Sequence, residues 1–446
     1  MLQQIIEQLD QRILNCPALT SAVFDRLVAA QRELGLVFAG RPTCPFLRPH
    51  IIARSQYDEV MHAARRIAGA VEKLVNRALA DDQLLAFFGL TDREREMAQI
   101  DPGYARLCVT SRLDAYISEA GFQFLEYNAE TPAGVGDQMQ LEAVLFGLDH
   151  LKELLATHRH WRPSPHRRLL KSLLAAYREW GGEEERPQIA IVDWKGVATE
   201  SEFRVLQQYF VSEGYQCVIA DPGELQYRDA RLFTGGFRID ILYKRVIIHE
   251  FLERCEPRHP LSTAYANHSI CMANSFRSKI AHKKASFAIL SDPGFADLFE
   301  PEEVEIIRRH VPWTRRVEDT TTVFHDDNRD LIDLIRQERR QFVLKPNDDY
   351  GGHGVFIGWE TSPEEWEQAI SNALTHPYVV QERVALKKTA MPSFGDSLRL
   401  EEMFVDFNPF LFENEPEGAL IRLSSSALLN ITAGGGQTAL LVLEGM

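Results

Sequence analysis

Apolar residues recur at helical spacing through residues 2–14 and 20–35. They do so again, after the connector RPTCPFLRPH, from about 56 to 89, with VMHAARRIAGAVEKLVNRALA at the centre. This predicts a helical arm over 1–105 whose charges form a solvated face. The period then changes to two. Runs at roughly 107–118 and 122–129 flank a turn around Glu119, Ala120 and Gly121 and read as a hairpin. A three-residue turn centred on Ala120 sets Asp114 opposite Glu126 and Arg112 opposite Asn128. Alternation places these four on one face and Leu113, Ala115, Ile117, Leu125 and Tyr127 on the other.

Beyond the hairpin, QMQLEAVLFGLDHLKELLATH reads as one helix, and WRPSPHRR, with its two prolines, as a boundary. From Gln188 the order is strand, helix, strand (IAIVD, ESEFRVLQQYFVSEG, YQCVIAD), a βαβ unit with Gly214 at the helix end. DILYKRVIIHEFLER adds a strand. Lys244, Arg245, His249 and Glu250 at its end are read as structural and left outside the site. Residues 273–292 read as a helix with Lys279, Lys283 and Lys284 on its surface, and a further helical region is expected near 326–339. QFVLKPNDDYGGHGVFIG, 341–358, is a strand ending at Lys345, a glycine-rich loop and a second strand. PYVVQERV, strands 398–407 and 410–414, and the segment from GALIR onward make the C-terminal part mostly β.

At 446 residues, 45% hydrophobic and 25% charged, the chain has ordinary globular composition and room for several structural units. A net charge of −15 argues against broad binding to nucleic acid or to an anionic membrane, while leaving room for a local basic pocket. Six cysteines without CxxC or CxxH spacing fit a reducing compartment, so a cytoplasmic location is expected. No apolar run approaches the roughly 18 residues of a membrane span, and no export signal is visible.

The chemistry concentrates in two stretches. An Asp facing a Glu across a hairpin repels it unless something positive lies between, and two carboxylates plus an amide oxygen suit a hard ion such as Mg²⁺. The alternative is a half-solvated hairpin in which Arg112 neutralises the carboxylates. In the loop holding Gly351, Gly352 and Gly354, backbone N–H groups can close over phosphates beside Lys345, or the loop is an ordinary hairpin turn. It is neither a P-loop nor a GxGxxG fingerprint, and DWKGVATES in the βαβ unit also lacks that fingerprint, which argues against the rival reading of a dinucleotide oxidoreductase. The strand ending at Gln381 and Glu382 suits a purine ring, and Arg422 is either a site arginine or the partner of a local carboxylate.

In order along the chain, these stretches resemble the circularly permuted branch of the ATP-grasp ligases, which includes the synthetase domain of glutathionylspermidine synthetase. The match is carried by Arg112, Asp114 and LExNAxTP (Leu125, Glu126, Asn128, Ala129, Thr131, Pro132), then HKKASFAIL, LKPNDDYGGHGV, QERV and GALIR. It covers 106–446, with the metal hairpin more than two hundred residues before the flap, as that branch requires. By resemblance, Asp114, Glu126 and Asn128 hold Mg²⁺ and Arg112 contacts an acyl phosphate. Lys284 (or Lys283) and Lys345 bind ATP under a flap containing Gly351, Gly352 and Gly354. Gln381 and Glu382 receive adenine, and Arg422 contacts substrate or phosphate.

The resemblance implies an α/β (α+β) permuted ATP-grasp fold in four parts. These are the helical arm 1–105, the metal hairpin and helix 106–160, a small α/β domain 165–265 and the nucleotide-binding part 266–446. It implies an ATP- and Mg²⁺-dependent ligase joining a small-molecule or peptide carboxylate to an amine, acting on neither nucleic acid nor membrane. A longer flap and the absence of an amidase-like Cys and His pair keep the identity of the acid and amine from being carried over. The rival expectation is an inactive nucleotide-binding relative with a regulatory or assembly role, and the intact metal residues count against it.

Overall fold

The computed structural model describes residues 1–445 apart from 17, 20, 39, 119–120, 350–351, 395–396 and 427–434. Its longest helix, Arg54–Leu79, buries Val60, Ala64, Ile67, Val71, Leu74 and Ala78, a stripe at three- and four-residue spacing. That stripe shares one core with Leu9 and Ile13 of the first helix and with Leu113, Tyr127, Phe407 and Ile421 of a six-stranded sheet. The helices of the N-terminal stretch are therefore packed beneath the sheet that carries the hairpin. The two ends of the chain also meet, because Leu440–Leu443 pairs in parallel with His50–Ala53.

In the six-stranded sheet the order is Gly436–Thr438, Glu415–Ser424, Leu398–Phe412, Thr110–Ser118, Gly121–Asn128, with Lys388–Phe394 also paired to Leu398–Phe412. The two strands expected over 398–414 are one, with a register shift between Pro409 and Leu411. At the site end of the hairpin, Arg112 pairs with Asn128 and Asp114 with Glu126, as the spacing predicts. The route to that register differs. Ser118 pairs with Gly121, so the connection at the tip, which itself lies outside the described residues, is one residue shorter than expected. A bulge at Leu125, between the pairs Asp114–Glu126 and Ala115–Phe124, restores the register. Beyond the bulge the faces exchange. Phe122 and Phe124 are buried, and Leu125, expected in the core, is only half-buried.

The βαβ reading holds in a four-stranded parallel sheet of order Cys271–Ala273, Ile241–Lys244, Ile189–Val192, Cys217–Ala220. Helices Pro165–Glu179 and Glu200–Ser212 cover one face, through Leu169, Leu173, Phe203 and Phe210. Phe251, Leu261 and Phe276 pack on the other. A second sheet, of order Thr314–Arg316, Tyr378–Glu382, Phe342–Pro346, Phe356–Ile357, is antiparallel and joins the lysine strand to the expected purine strand.

Three helix expectations need correction. The stretch 138–158, expected as one helix, belongs to two, Val135–Leu145 and Asp149–Thr157, broken around Gly147. Around 326–339 the first part is a hairpin, Thr321–Phe324 with Asp327–Asp330, turned by His325 and Asp326 at φ of 46° and 71°. Only Leu331–Gln337 is α-helical, followed by a 3₁₀ turn at Arg339–Gln341. In 273–292 a strand ends at Ala273, and two short helices follow, Ser278–His282 and Ala285–Leu290, whose lysines are buried. Among the described residues no helix is long and apolar enough to cross a membrane, and all six cysteines are free.

Candidate active site

Arg112, Asp114, Glu126 and Asn128 line a cavity of about 470 Å³ between the hairpin and the parallel sheet. Asn274, wholly buried after the Cys271–Ala273 strand, fixes the base of the hairpin. Its Oδ1 accepts from the Val109 and Thr110 N–H groups at 2.8 and 3.1 Å, and its Nδ2 donates to the Thr110 and Ala129 carbonyls at 2.6 and 2.7 Å. The loop that follows is shaped from the same side. Glu202 accepts from the N–H groups of Gly134 (2.8 Å) and Gly136 (3.2 Å), while Arg245 donates to the Pro132 carbonyl at 2.5 Å. Gly134 sits at φ +105°, and a Cβ there would come within 2.9 Å of Leu420. Both considerations favour glycine at this position.

Two guanidinium groups converge on Asp114. Arg112 binds it in a fork, Nε to Oδ1 at 2.7 Å and a terminal nitrogen to Oδ2 at 3.1 Å, and also donates to the Ala133 carbonyl. Arg422 reaches Oδ2 at 2.9 Å and is held from behind by Asp406, its register partner on the neighbouring strand, at 2.7 Å. Burial raises the Asp114 carboxyl, but the two arginines outweigh it and hold the group at about 2. Arg422 thus lines the cavity and is also the partner of a local carboxylate. Asp406 was missed, and its signal in the sequence, alternation with Asn408 on the strand beside Arg422, becomes readable only once the register is known.

The lysines lie on the other side of Glu126. Lys284 Nζ is 3.5 Å from the Glu126 carboxylate and donates to the Asp349 carbonyl at 2.9 Å. Burial drives Glu126 upward, but Lys284 and then Lys345 more than offset this and the neighbouring Asp114, leaving the carboxyl below its usual value. Lys345 donates to Gln381 Oε1 at 2.7 Å, and burial pulls it down to about 8 despite Glu126. Gln381 donates in turn to the Leu125 carbonyl at 3.2 Å and to Thr314 Oγ1 at 3.0 Å, so the bulged residue of the hairpin is where the two sheets meet. Glu382 is not brought to this cluster. Its carboxylate pairs with His325 at 2.9 Å, and its N–H donates to the Trp313 carbonyl.

Of the flap glycines, Gly352 and Gly354 have φ of +79° and +67°, and Gly351 lies outside the described residues. Tyr378 donates to the Gly354 carbonyl at 3.2 Å, and a Cβ on Gly354 would meet Pro346 at 2.8 Å.

The predicted surface lysines instead form a buried network at the root of the flap. Lys279 contacts Asp348 at 2.7 Å, Glu130 at 3.3 Å and Glu94 at 3.7 Å, and Lys283 contacts Asp348 at 2.6 Å and Glu94 at 3.0 Å. Lys283 is therefore engaged away from Glu126, and Lys284 is the lysine beside it. Glu130, His282 and Asp348 have ligand atoms close enough together to hold a metal. The lysines already bound to Glu130 and Asp348 satisfy that charge. The residues read as structural divide. Arg245 and Glu250 line the cavity, His249 meets Lys279 at 3.3 Å, and Lys244 is buried on the Val246 carbonyl.

This architecture, a hairpin that presents carboxylates toward Lys345 on a separate antiparallel sheet and toward Lys284 at the junction of two short helices, defines the class. The chain belongs to the circularly permuted ATP-grasp type 2 family, whose model matches residues 49–424. An uncharacterised protein of Mycobacterium leprae is 22% identical over 92% of this chain and 75% of its own length. A putative glutamate–cysteine ligase of Frankia casuarinae is 22% identical over 92% of this chain, which spans about half (48%) of that relative. The apo structure of a glutathione synthetase-like effector from Globodera pallida has the same fold. It superposes with a TM-score of 0.58 at 13% identity, covering 94% of this chain and 97% of that one. The family is ATP-grasp ligase-like, and this chain's relatives comprise uncharacterised proteins as well as one named as a putative ligase.

Proposed function

We propose that this chain is an ATP- and Mg²⁺-dependent carboxylate–amine ligase acting through an acyl phosphate. One observation carries the reading: a single hairpin face holds Asp114, Glu126 and Asn128 with two arginines on one side and two lysines on the other. The donor set is two ionised carboxylates and an amide, the hard oxygen chemistry that suits Mg²⁺. Asp114, Glu126 and Asn128 would hold the ion, which when bound neutralises charge on the nucleotide phosphates.

The remaining work falls to the chain's own groups. Lys284 and Lys345 bind the phosphates, with Gln381 fixing the Lys345 ammonium, and the loop through Gly352 and Gly354 covers them and excludes water. Arg112 and Arg422 receive the substrate carboxylate. One of its oxygens attacks the γ-phosphorus, ADP departs, and the same guanidinium groups steady the acyl phosphate and the oxyanion formed when the amine attacks. Phosphate leaves as the amide bond forms, and the proton lost by the amine passes to solvent. The name of the Frankia relative is consistent with this reaction type.

The test supplies ATP, Mg²⁺ and pooled acids and amines, and follows ADP together with new amide masses. Matching ADP and amide is expected. Tight Mg²⁺–ATP binding with no ADP release from any pool would instead assign the chain a binding role.

A further inference from the structure

The cavity extends past the hairpin into a crevice for which the phosphate chemistry has no use. In the parallel sheet the chain runs from Ile189–Val192 to Cys217–Ala220 on one side and then to Ile241–Lys244 on the other, so strand order reverses between Ile189–Val192 and Ile241–Lys244. Loops leaving such a reversal diverge and open a crevice at the carboxyl ends of the strands, the usual ligand position in open α/β sheets. Asp193 and Trp194 follow the first strand, Arg245 follows the second, and all three line the cavity.

The cation at the crevice, Arg245, is already matched by a carboxylate. Arg245 is met by Glu202 at 3.4 Å, Glu130 by Lys279, and Glu250 by Arg254 at 3.4 Å. Among the described residues Asp137 and Asp193 have no ion-pair partner. Burial raises Asp137 to about 7, with Glu202 adding to it, and raises Asp193 to about 6. Gln437 is a second, independent sign. It lines the crevice, is 2% exposed and hydrogen-bonds Asp137, yet its buried Oε1 has no partner. An orphaned acceptor beside two unpaired carboxylates calls for a cation rich in N–H donors. The Arg245 Nε and Trp194 Nε1 hydrogens at the crevice also lack partners. Trp194 and Val197 provide apolar wall.

We propose that this crevice receives a small organic ammonium ion, held by Asp137 and Asp193, as the amine substrate. The word substrate rests on the ligase reading, whereas the binding rests on the crevice alone. The test titrates the full chain with 6-aminohexanamide, and with hexanamide, which lacks the ammonium group, by calorimetry at about pH 8, above both carboxyl values. Saturable binding of the ammonium probe and none of hexanamide is expected. Asp193→Asn and Asp137→Asn, checked for folding by circular dichroism, should each weaken it about tenfold or more. Equal binding of both probes, no saturable binding, or unchanged affinity in both folded variants overturns the proposal. Mg²⁺–ATP is titrated separately. A chain that binds nucleotide but not the ammonium probe loses the crevice assignment and keeps the ligase reading, and the reverse result does the opposite.

Discussion

Asp114 is the residue on which the site's charges converge, with both carboxylate oxygens engaged by guanidinium groups that are themselves anchored elsewhere, Arg112 on Ala133 and Arg422 on Asp406. Asp114→Asn keeps the volume and leaves those anchors in place, so circular dichroism should show a folded protein. Mg²⁺-dependent ATP turnover should fall on the order of a hundredfold or more, equivalent to about 3–4 kcal/mol in the transition state. A folded variant with full turnover would remove the hairpin from the mechanism. Lys345 makes a prediction about pH. Its ammonium loses its proton at about 8 in the free protein, and bound phosphates would favour the charged form. Nucleotide affinity should therefore weaken as pH rises above about 8, with proton uptake on binding seen as a dependence of calorimetric heat on buffer. Lys345→Met should bind ATP more weakly and show no such uptake.

Among the elements, the hairpin and the lysine strand are joined at the Leu125 bulge, where Gln381 spans from the Lys345 ammonium to a carbonyl on the opposite sheet. The flap hangs from the same strand. Lys284 holds the Asp349 carbonyl and Tyr378 the Gly354 carbonyl, so each end of the loop has an anchor. Adding Mg²⁺ and ATP should slow hydrogen exchange through residues 349–354. Exchange that is the same with and without saturating nucleotide would mean the loop is a plain hairpin turn.

Over the whole molecule, Lys279 ties together segments from three distant parts of the chain, through Glu94, Glu130 and Asp348, and it is completely buried. Lys279→Met removes the cation but leaves Glu130 buried, which should cost about 3–5 kcal/mol. The Glu130 carboxyl is held below its usual value, mainly by Lys279 acting against burial, so its contribution is present above the unfolded carboxyl range and is lost as pH falls through the lowered folded value. The gap in melting temperature between wild type and variant should be widest near neutral pH and narrow in acid. Thermal unfolding followed across that range checks this, and a gap that does not change with pH would point to packing instead.

Sequence alone determined what short-range periodicity can encode. The alternation at Arg112, Asp114, Glu126 and Asn128 fixes which side chains share a face, and the strand, helix, strand pattern from Gln188 fixes the parallel unit, because each depends on residues a few positions apart. It did not reveal the bulge at Leu125, since the shorter tip and the extra residue cancel at the site end and differ only in which apolar residues are buried. Which of Lys283 and Lys284 lies beside Glu126, the burial of lysines read as surface, and the anchoring of Arg422 by Asp406 were decided only by tertiary structure. So was the crevice bounded by Asp137, Asp193 and Gln437. Each depends on charges brought together from segments far apart in the chain, and a helix that looks half-polar in sequence is buried once distant carboxylates supply its lysines with partners.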